Sequence, residues 1–176
     1  MKNIITIGGS TSKNSINKQL AEYTASLVEG IETNNLDLND YDLPLYSVDI
    51  ENEFGFSNDL KSLNRLVEEA DGIIISLSEH NGAYSAAFKN AFDWLSRIEA
   101  KVWRNKPMLL LSASPGPRGG QSVMDIALNR FPYNGGNIIG SMTFPSFEEN
   151  FKDGVVANKE LKEKLMALSD EFSKSL

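Results

Sequence analysis

Two stretches of this chain, "GIIISLS" at residues 72–78 and "KPMLLLSAS" at 106–114, are nearly unbroken apolar runs far too short to cross a membrane. A strand with one face in water alternates polar and apolar side chains, so a continuous run of this length marks a strand covered on both faces. Around these runs the period becomes helical. Leu60, Leu63, Val67 and Ala70 recur at helical spacing before the first run, and a helical pattern from Tyr84 to Ile98 separates it from the second. Strands that alternate with helices in this way are joined by crossovers, which place helices on both faces of a parallel sheet.

The alternation continues outward. Asn3–Ile7 predicts a first strand, and Ser15–Val28 a helix with Ile16, Leu20, Tyr23 and Leu27 on one face. Leu36 and Leu38 alternate with Asn and Asp as a short second strand. Residues 39–57, "NDYDLPLYSVDIENEFGFS", hold proline, glycine and many acids, and read as a long loop. Ser122–Phe131 predicts a short helix, Asn137–Phe144 a fifth strand, and Asn158–Leu176 a terminal helix that turns Leu161, Leu165, Leu168 and Phe172 to the sheet. No repeat, linker or low-complexity tract interrupts the pattern. The expectation is one α/β domain over residues 1–176: a three-layer, doubly wound, five-stranded parallel sheet with five helices.

Composition narrows the chemistry. Lys and Arg number 17 against 24 Asp and Glu, a net charge of -7, which repels phosphodiester backbones and anionic lipid and argues against nucleic-acid and membrane partners. With no cysteine and a single histidine the chain has no thiolate nucleophile, no disulfide framework and no multi-histidine metal centre. Its first residues lack the pattern of a secretory signal, so a cytoplasmic location is expected.

Open parallel sheets bind ligands beyond the carboxyl ends of their strands. The segments there are "GGSTSKNSIN", "SEHNGAYS" and "SASPGPRGGQS". The first offers hydroxyls and the unpaired amides of a helix start, which favour a phosphate monoester. It has neither the G-x-G-x-x-G dinucleotide fingerprint nor the triphosphate P-loop, and no acid stands alone at the end of a clean second strand to take a ribose hydroxyl. The second supplies donors and acceptors suited to the edge of a heterocycle. The third, stiffened by Pro115 and Pro117 and opened by Gly116, Gly119 and Gly120, suits a wall against a flat ring.

Together these stretches resemble the NADPH-dependent FMN reductase family, a flavodoxin-like branch that includes azoreductases, quinone reductases and chromate-reducing enzymes. The similarity runs from "GGSTSKNSIN" through "DYDLPLY" and "SEHNGAYSAAFKNAFDWLSR" to "SASPGPRGG". Its most specific part is the family pattern P-E-Y-N-G-S followed by L-K-N-A-x-D-W and S-R, matched by Glu79, Asn81, Gly82, Lys89, Asn90, Ala91, Asp93, Trp94, Ser96 and Arg97. Ser78 replaces the usual proline, His80 the usual tyrosine, Ser85 the proline often seen before the helix, and Ser12 stands where many members carry arginine.

The resemblance implies sheet order 2-1-3-4-5 and bound FMN. Ser10, Ser12, Ser15, Ile16 and Asn17 would hold the phosphate, and Glu79, His80, Asn81 and Gly82 the isoalloxazine ring. Ser112, Ser114, Pro115, Gly116 and Gly119 would flank it. NADPH or NADH would give a hydride to the flavin, and a quinone, azo compound or free flavin would take it up, with no catalytic side chain named. Arg104 and Arg118 are candidates for a 2'-phosphate contact. The alternative is a flavodoxin-type electron carrier without NAD(P)H activity. A response-regulator reading fails because Gly8–Ser12 contains no carboxylate.

A homodimer is expected, built in large part on the helix from Tyr84 to Ile98, and the family resemblance implies a homodimer or homotetramer. Its apolar residues span an arc of roughly 160°, wider than the stripe of about 100° that covers a sheet. The surplus edge holds Trp94 and Ala87, which would anchor a partner chain; the alternative is that the neighbouring helix of the same chain, with Trp103 in the loop after it, covers that edge.

Overall fold

The computed structural model describes residues 1–176. Strands β1 (Lys2–Gly8), β2 (Ile31–Leu36), β3 (Gly72–Leu77), β6 (Pro107–Ala113) and β7 (Asn137–Phe144) form one sheet in the order β2-β1-β3-β6-β7. All four pairings are parallel. Two small antiparallel hairpins lie outside it: β4 (Glu79–His80) with β5 (Ala83–Tyr84), and β8 (Phe151–Lys152) with β9 (Val155–Val156). The flavodoxin-like order expected above is the one observed.

The two apolar runs become β3 and β6, at the centre of the sheet and buried along almost their whole length. Alternate side chains enter two cores. Ile5, Ile73, Ile75, Met108 and Leu110 meet helices α3 (Asn58–Glu69), α4 (Ala86–Ile98) and α5 (Gln121–Arg130) on one face. Ile4, Ile74, Leu109 and Leu111 meet α1 (Ile16–Ser26) and α7 (Lys159–Ser175) on the other. Under α4 the aromatic rings of Tyr84, Phe88, Phe92, Trp103 and Phe131 pack together, with Trp103 and Phe131 centroids 4.9 Å apart.

Several expectations need correction. The second strand starts earlier and stops at Leu36; Leu38 opens a short 3-10 turn, Leu38–Asp40. The predicted loop 39–57 contains that turn and a helix, α2 (Val48–Phe54). The Ser47 side chain caps α2, Asp49 and Glu51 in its first turn suit its positive end, and Gly55 at φ 67 stops it. No residue of α2 is buried, so it leaves no apolar stripe to detect. The helix read from Tyr84 begins at Ala86, because Ala83 and Tyr84 pair with the preceding strand. With α6 (Phe147–Asn150) the chain has seven α-helices rather than five.

Candidate functional site

The first loop is shaped by a glycine. A Cβ on Gly8 would lie 2.7 Å from the Lys18 Cα, so only glycine lets the start of α1 rest on the end of β1. Ser15 caps the helix, its Oγ accepting from the Lys18 amide at 3.1 Å. The amides of Ile16 and Asn17, in the first turn, find no acceptor within the chain. They join the positive helix end and the hydroxyls of Ser10 and Ser12 in a donor set suited to a phosphate. No lysine completes it. Lys13 is exposed, and the Lys18 Nζ donates to Asp37 at 2.6 Å. That hydrogen bond raises the Lys18 pKa; it also lowers that of Asp37, helped by the Asn39 amide.

Asp37 also corrects the sequence reading of the second strand. An acid does follow β2 directly, in the place of a ribose-binding carboxylate, but it is spent on Lys18 and on the Asn39 amide.

Asn17 is 2% exposed, and its side chain works on the protein rather than on a ligand. Its Nδ2 donates to Ser78 Oγ and to the Ala113 carbonyl, both at 3.1 Å. Its Oδ1 accepts from Ser76 Oγ at 2.6 Å and from the Ala113 amide at 2.8 Å. One amide thus ties the start of α1 to the carboxyl ends of β3 and β6. Only its backbone N–H is left for the phosphate set.

The second loop is a hairpin. Asn81 and Gly82 have φ 52 and 77, the pair of positive values that a two-residue primed turn demands and that Asn-Gly favours. This signal was present in the sequence and would have located the hairpin. His80 is exposed at the lip of the site, and Asn81 and Gly82 form the turn itself. The Glu79 Oε2 accepts from the amides of Ser122 at 2.9 Å and Val123 at 3.1 Å, so this carboxylate faces α5.

In the third loop Ser112 Oγ donates to the Gly119 carbonyl at 2.8 Å, and a Cβ on Gly119 would meet the Phe144 backbone at 2.9 Å. The Gly116 carbonyl accepts from the Gly119 and Ser146 amides and from Ser114 Oγ. These residues shape the loop.

A polar cleft of about 230 Å³ lies where the three loops meet. Of the predicted residues, Ser10, Ser12, Ser15, Ile16, Asn17, Glu79, His80, Ser114 and Pro115 line it. Asn81, Gly82, Ser112, Gly116 and Gly119 support it from behind or beside. Asn14, Ser78 and Ala113 also line it and were missed. Each lies in, or at the edge of, a segment already singled out, so position along the sheet edge was the available signal. Arg118 belongs to this edge, where its Nη2 donates to Ser122 Oγ. Arg104 does not. It lies before β6, at the amino end of the strands, and donates to Val102 O and Asn64 Oδ1, so its proposed 2'-phosphate role is withdrawn.

The motif helix α4 holds down the segment before α2. Asn90 Oδ1 accepts from the Tyr46 amide at 2.8 Å, while its Nδ2 donates to the carbonyls of Leu43 and Pro44. Trp94 Nε1 donates to Pro44 O at 2.7 Å, and its ring meets Tyr46 edge-on at 5.0 Å. Arg97 pairs with Glu51 at 2.8 Å, which lowers the Glu51 pKa. Trp94 is 2% exposed, covered by its own chain. It therefore cannot be the dimer anchor inferred from the helical arc.

A doubly wound parallel sheet that gathers a helix start with two unpaired amides and two further loops around one polar cleft has the architecture of the flavodoxin-like class. The chain belongs to the NADPH-dependent FMN reductase family, which matches residues 2–149. It is 32% identical over 117 residues to a quinone reductase of Escherichia coli, across 66% of this chain and 62% of that protein. It is 32% identical over 122 residues to an NADPH azoreductase of a Bacillus strain, across 69% and 64%. The chain thus spans under two thirds of the length of these relatives. The solved structure of the flavoenzyme NAD(P)H:(acceptor) oxidoreductase FerB from Paracoccus denitrificans superposes with a TM-score of 0.81 at 26% identity, covering 99% of this chain and 97% of that one.

Proposed function

We propose that this protein is an FMN-dependent NAD(P)H oxidoreductase that passes reducing equivalents from a nicotinamide nucleotide to a quinone, azo compound, free flavin or similar small acceptor. The observation that carries the reading is the convergence of the α1 amino end, the 79–84 hairpin and the 112–120 loop on one cleft. The donor set fits the cofactor: the unpaired amides of Ile16 and Asn17 with Ser10 and Ser12 suit the phosphate, and the hairpin and Pro115 suit the ring. When bound, FMN supplies the hydride chemistry. The chain binds and orients it, and no side chain is assigned a proton. The cleft is small for a ligand of this size, so a bound flavin would project beyond it, and the two substrates would use the projecting ring in turn. Arg118 is the remaining candidate for choosing NADPH over NADH.

Binding is tested by titrating FMN into the apo-protein and following flavin fluorescence. Ser10→Asp with Ser15→Asp places carboxylates against the phosphate and should weaken binding by several kcal/mol, since charge-assisted hydrogen bonds contribute about 1.5–3 kcal/mol each. Unchanged affinity would move the phosphate elsewhere. For turnover, initial rates against NADPH and a quinone should give parallel double-reciprocal lines. Intersecting lines refute the shared face, and flavin that NADPH does not bleach would make the protein an electron carrier instead.

We further propose a homodimer or tetramer in the cytoplasm. With Trp94 covered, the face between α4 and α5 becomes the contact, where Ile126 and Tyr133 are exposed beside a groove of about 620 Å³. Sedimentation of the wild type and of Tyr133→Glu tests it; a monomer at micromolar concentration, or an undisturbed oligomer in the variant, refutes it.

A further inference from the structure

Helix α5 begins without a cap of its own. Its N-cap residue is Gly120 at φ 80, which has no side chain to offer the first-turn amides. Two of these are satisfied locally, Gln121 N by Arg118 O and Met124 N by Gly120 O. The other two, Ser122 and Val123, donate to the Glu79 carboxylate, 43 and 44 residues away on β4. An anionic acceptor at a helix amino end adds the macrodipole to two charge-assisted hydrogen bonds. A cap normally comes from the residue that starts the helix. Here it comes from the hairpin that forms one side of the cleft.

We propose that Glu79 is a positioning residue that locks two of the three cofactor loops into one unit, and that the reach of its side chain to both amides, to which the charge only adds, sets flavin affinity. The idea rests on the flavin reading above. The hairpin residues 79–82 stand on one side of the carboxylate, and the third loop runs straight into α5 on the other. Ser112 Oγ pins that loop to β6 through the Gly119 carbonyl. A continuous path therefore runs from β6 through Gly119, α5 and Glu79 to the turn at Asn81 and Gly82. Without the bridge the hairpin keeps its two-residue ladder, Glu79–Tyr84 and His80–Ala83, the packing of Tyr84 on Phe88 and Phe131, and the tie of Ser78 to Asn17, but it loses both hydrogen bonds to the start of α5. The same carboxylate occupies the positive end of α5, which leaves α1 as the helix start open to a phosphate.

Two conservative variants separate reach from charge. Glu79→Gln keeps the reach and loses the charge; Glu79→Asp keeps the charge and is one methylene too short to hold both amides. FMN titration of the apo-proteins should show the Gln variant within about threefold of the wild type and the Asp variant weakened about tenfold, the size of a lost helix cap. An Asp variant within twofold of the wild type, or a Gln variant as weak as Asp, overturns the proposal. Hydrogen exchange on the ligand-free proteins reads the same bridge without cofactor: Asp should lower protection of the 79–84 and 121–124 amides together. Loss in one segment alone also overturns it. A wild type that binds no FMN refutes the cofactor reading and leaves the exchange result to decide the bridge.

Discussion

Replacing Asn17 by Ala tests whether the site is held by the same hydrogen bonds that hold the sheet edge. The truncation removes a donor from Ser78 Oγ and Ala113 O and an acceptor from Ser76 Oγ and Ala113 N. The two hydroxyls can rotate toward other partners. The Ala113 N–H and C=O cannot, because Ala113 ends β6 and is 2% exposed. Each buried backbone group left unpaired costs about 1–3 kcal/mol, so a loss of about 3–5 kcal/mol is expected, a large share of the ~5–15 kcal/mol that stabilises a typical domain. Urea unfolding of the apo-protein should show a lower midpoint, by about 1–2 M, with an unchanged slope. FMN affinity should fall as well, because the start of α1 loses its tie to β3 and β6. A loss below about 1 kcal/mol would mean that water replaces the amide with little penalty, and the account of Asn17 as a staple would be wrong.

Gly8→Ala drives a methyl into the backbone of Lys18, 2.7 Å from its Cα, and should lower the urea midpoint by the equivalent of about 1–3 kcal/mol for an overpacked site; a midpoint within error of the wild type would refute the close approach. Asn90→Ala frees the backbone at Leu43, Pro44 and Tyr46. Limited proteolysis should then cut within residues 41–47 faster than in the wild type, while Lys89→Ala, which loses only an exposed pair with Asp93, should not change the rate. Desolvation raises the Tyr84 pKa to about 12, and its hydroxyl has no partner. The unfolded chain releases this proton near its ordinary value of 10.0 and the folded protein only near 12, so stability should fall as pH rises through that window. Tyr84→Phe should flatten the decline, and a wild-type profile already flat from 10 to 12 would argue against the buried hydroxyl.

What the sequence made legible was what burial dictates. β3 and β6 are apolar but for one serine each because both faces are covered, and no other element produces that run. The site edge followed from topology, since every loop after a parallel strand leaves on the same side. Of what escaped, two cases show the physical reason. α2 buries none of its residues, so its sequence carries only local signals, the Ser47 cap and the Gly55 stop, inside a segment whose acids and proline look like loop. The arc of α4 counted Trp94 as surplus apolar surface, but an indole is also a donor, and the carbonyl of Pro44, shared with Asn90, satisfies it from a segment with no periodicity. The same ambiguity runs through the site. Asn17 and Glu79 are polar residues beside a cleft, and composition alone makes them ligands of whatever the cleft holds. Their side chains instead complete the backbone at the ends of β6 and α5, where strands and helix starts leave groups unpaired. A sheet edge that binds a nucleotide needs both kinds of polar residue, one facing the ligand and one facing the chain. Only the direction of the side chain distinguishes them.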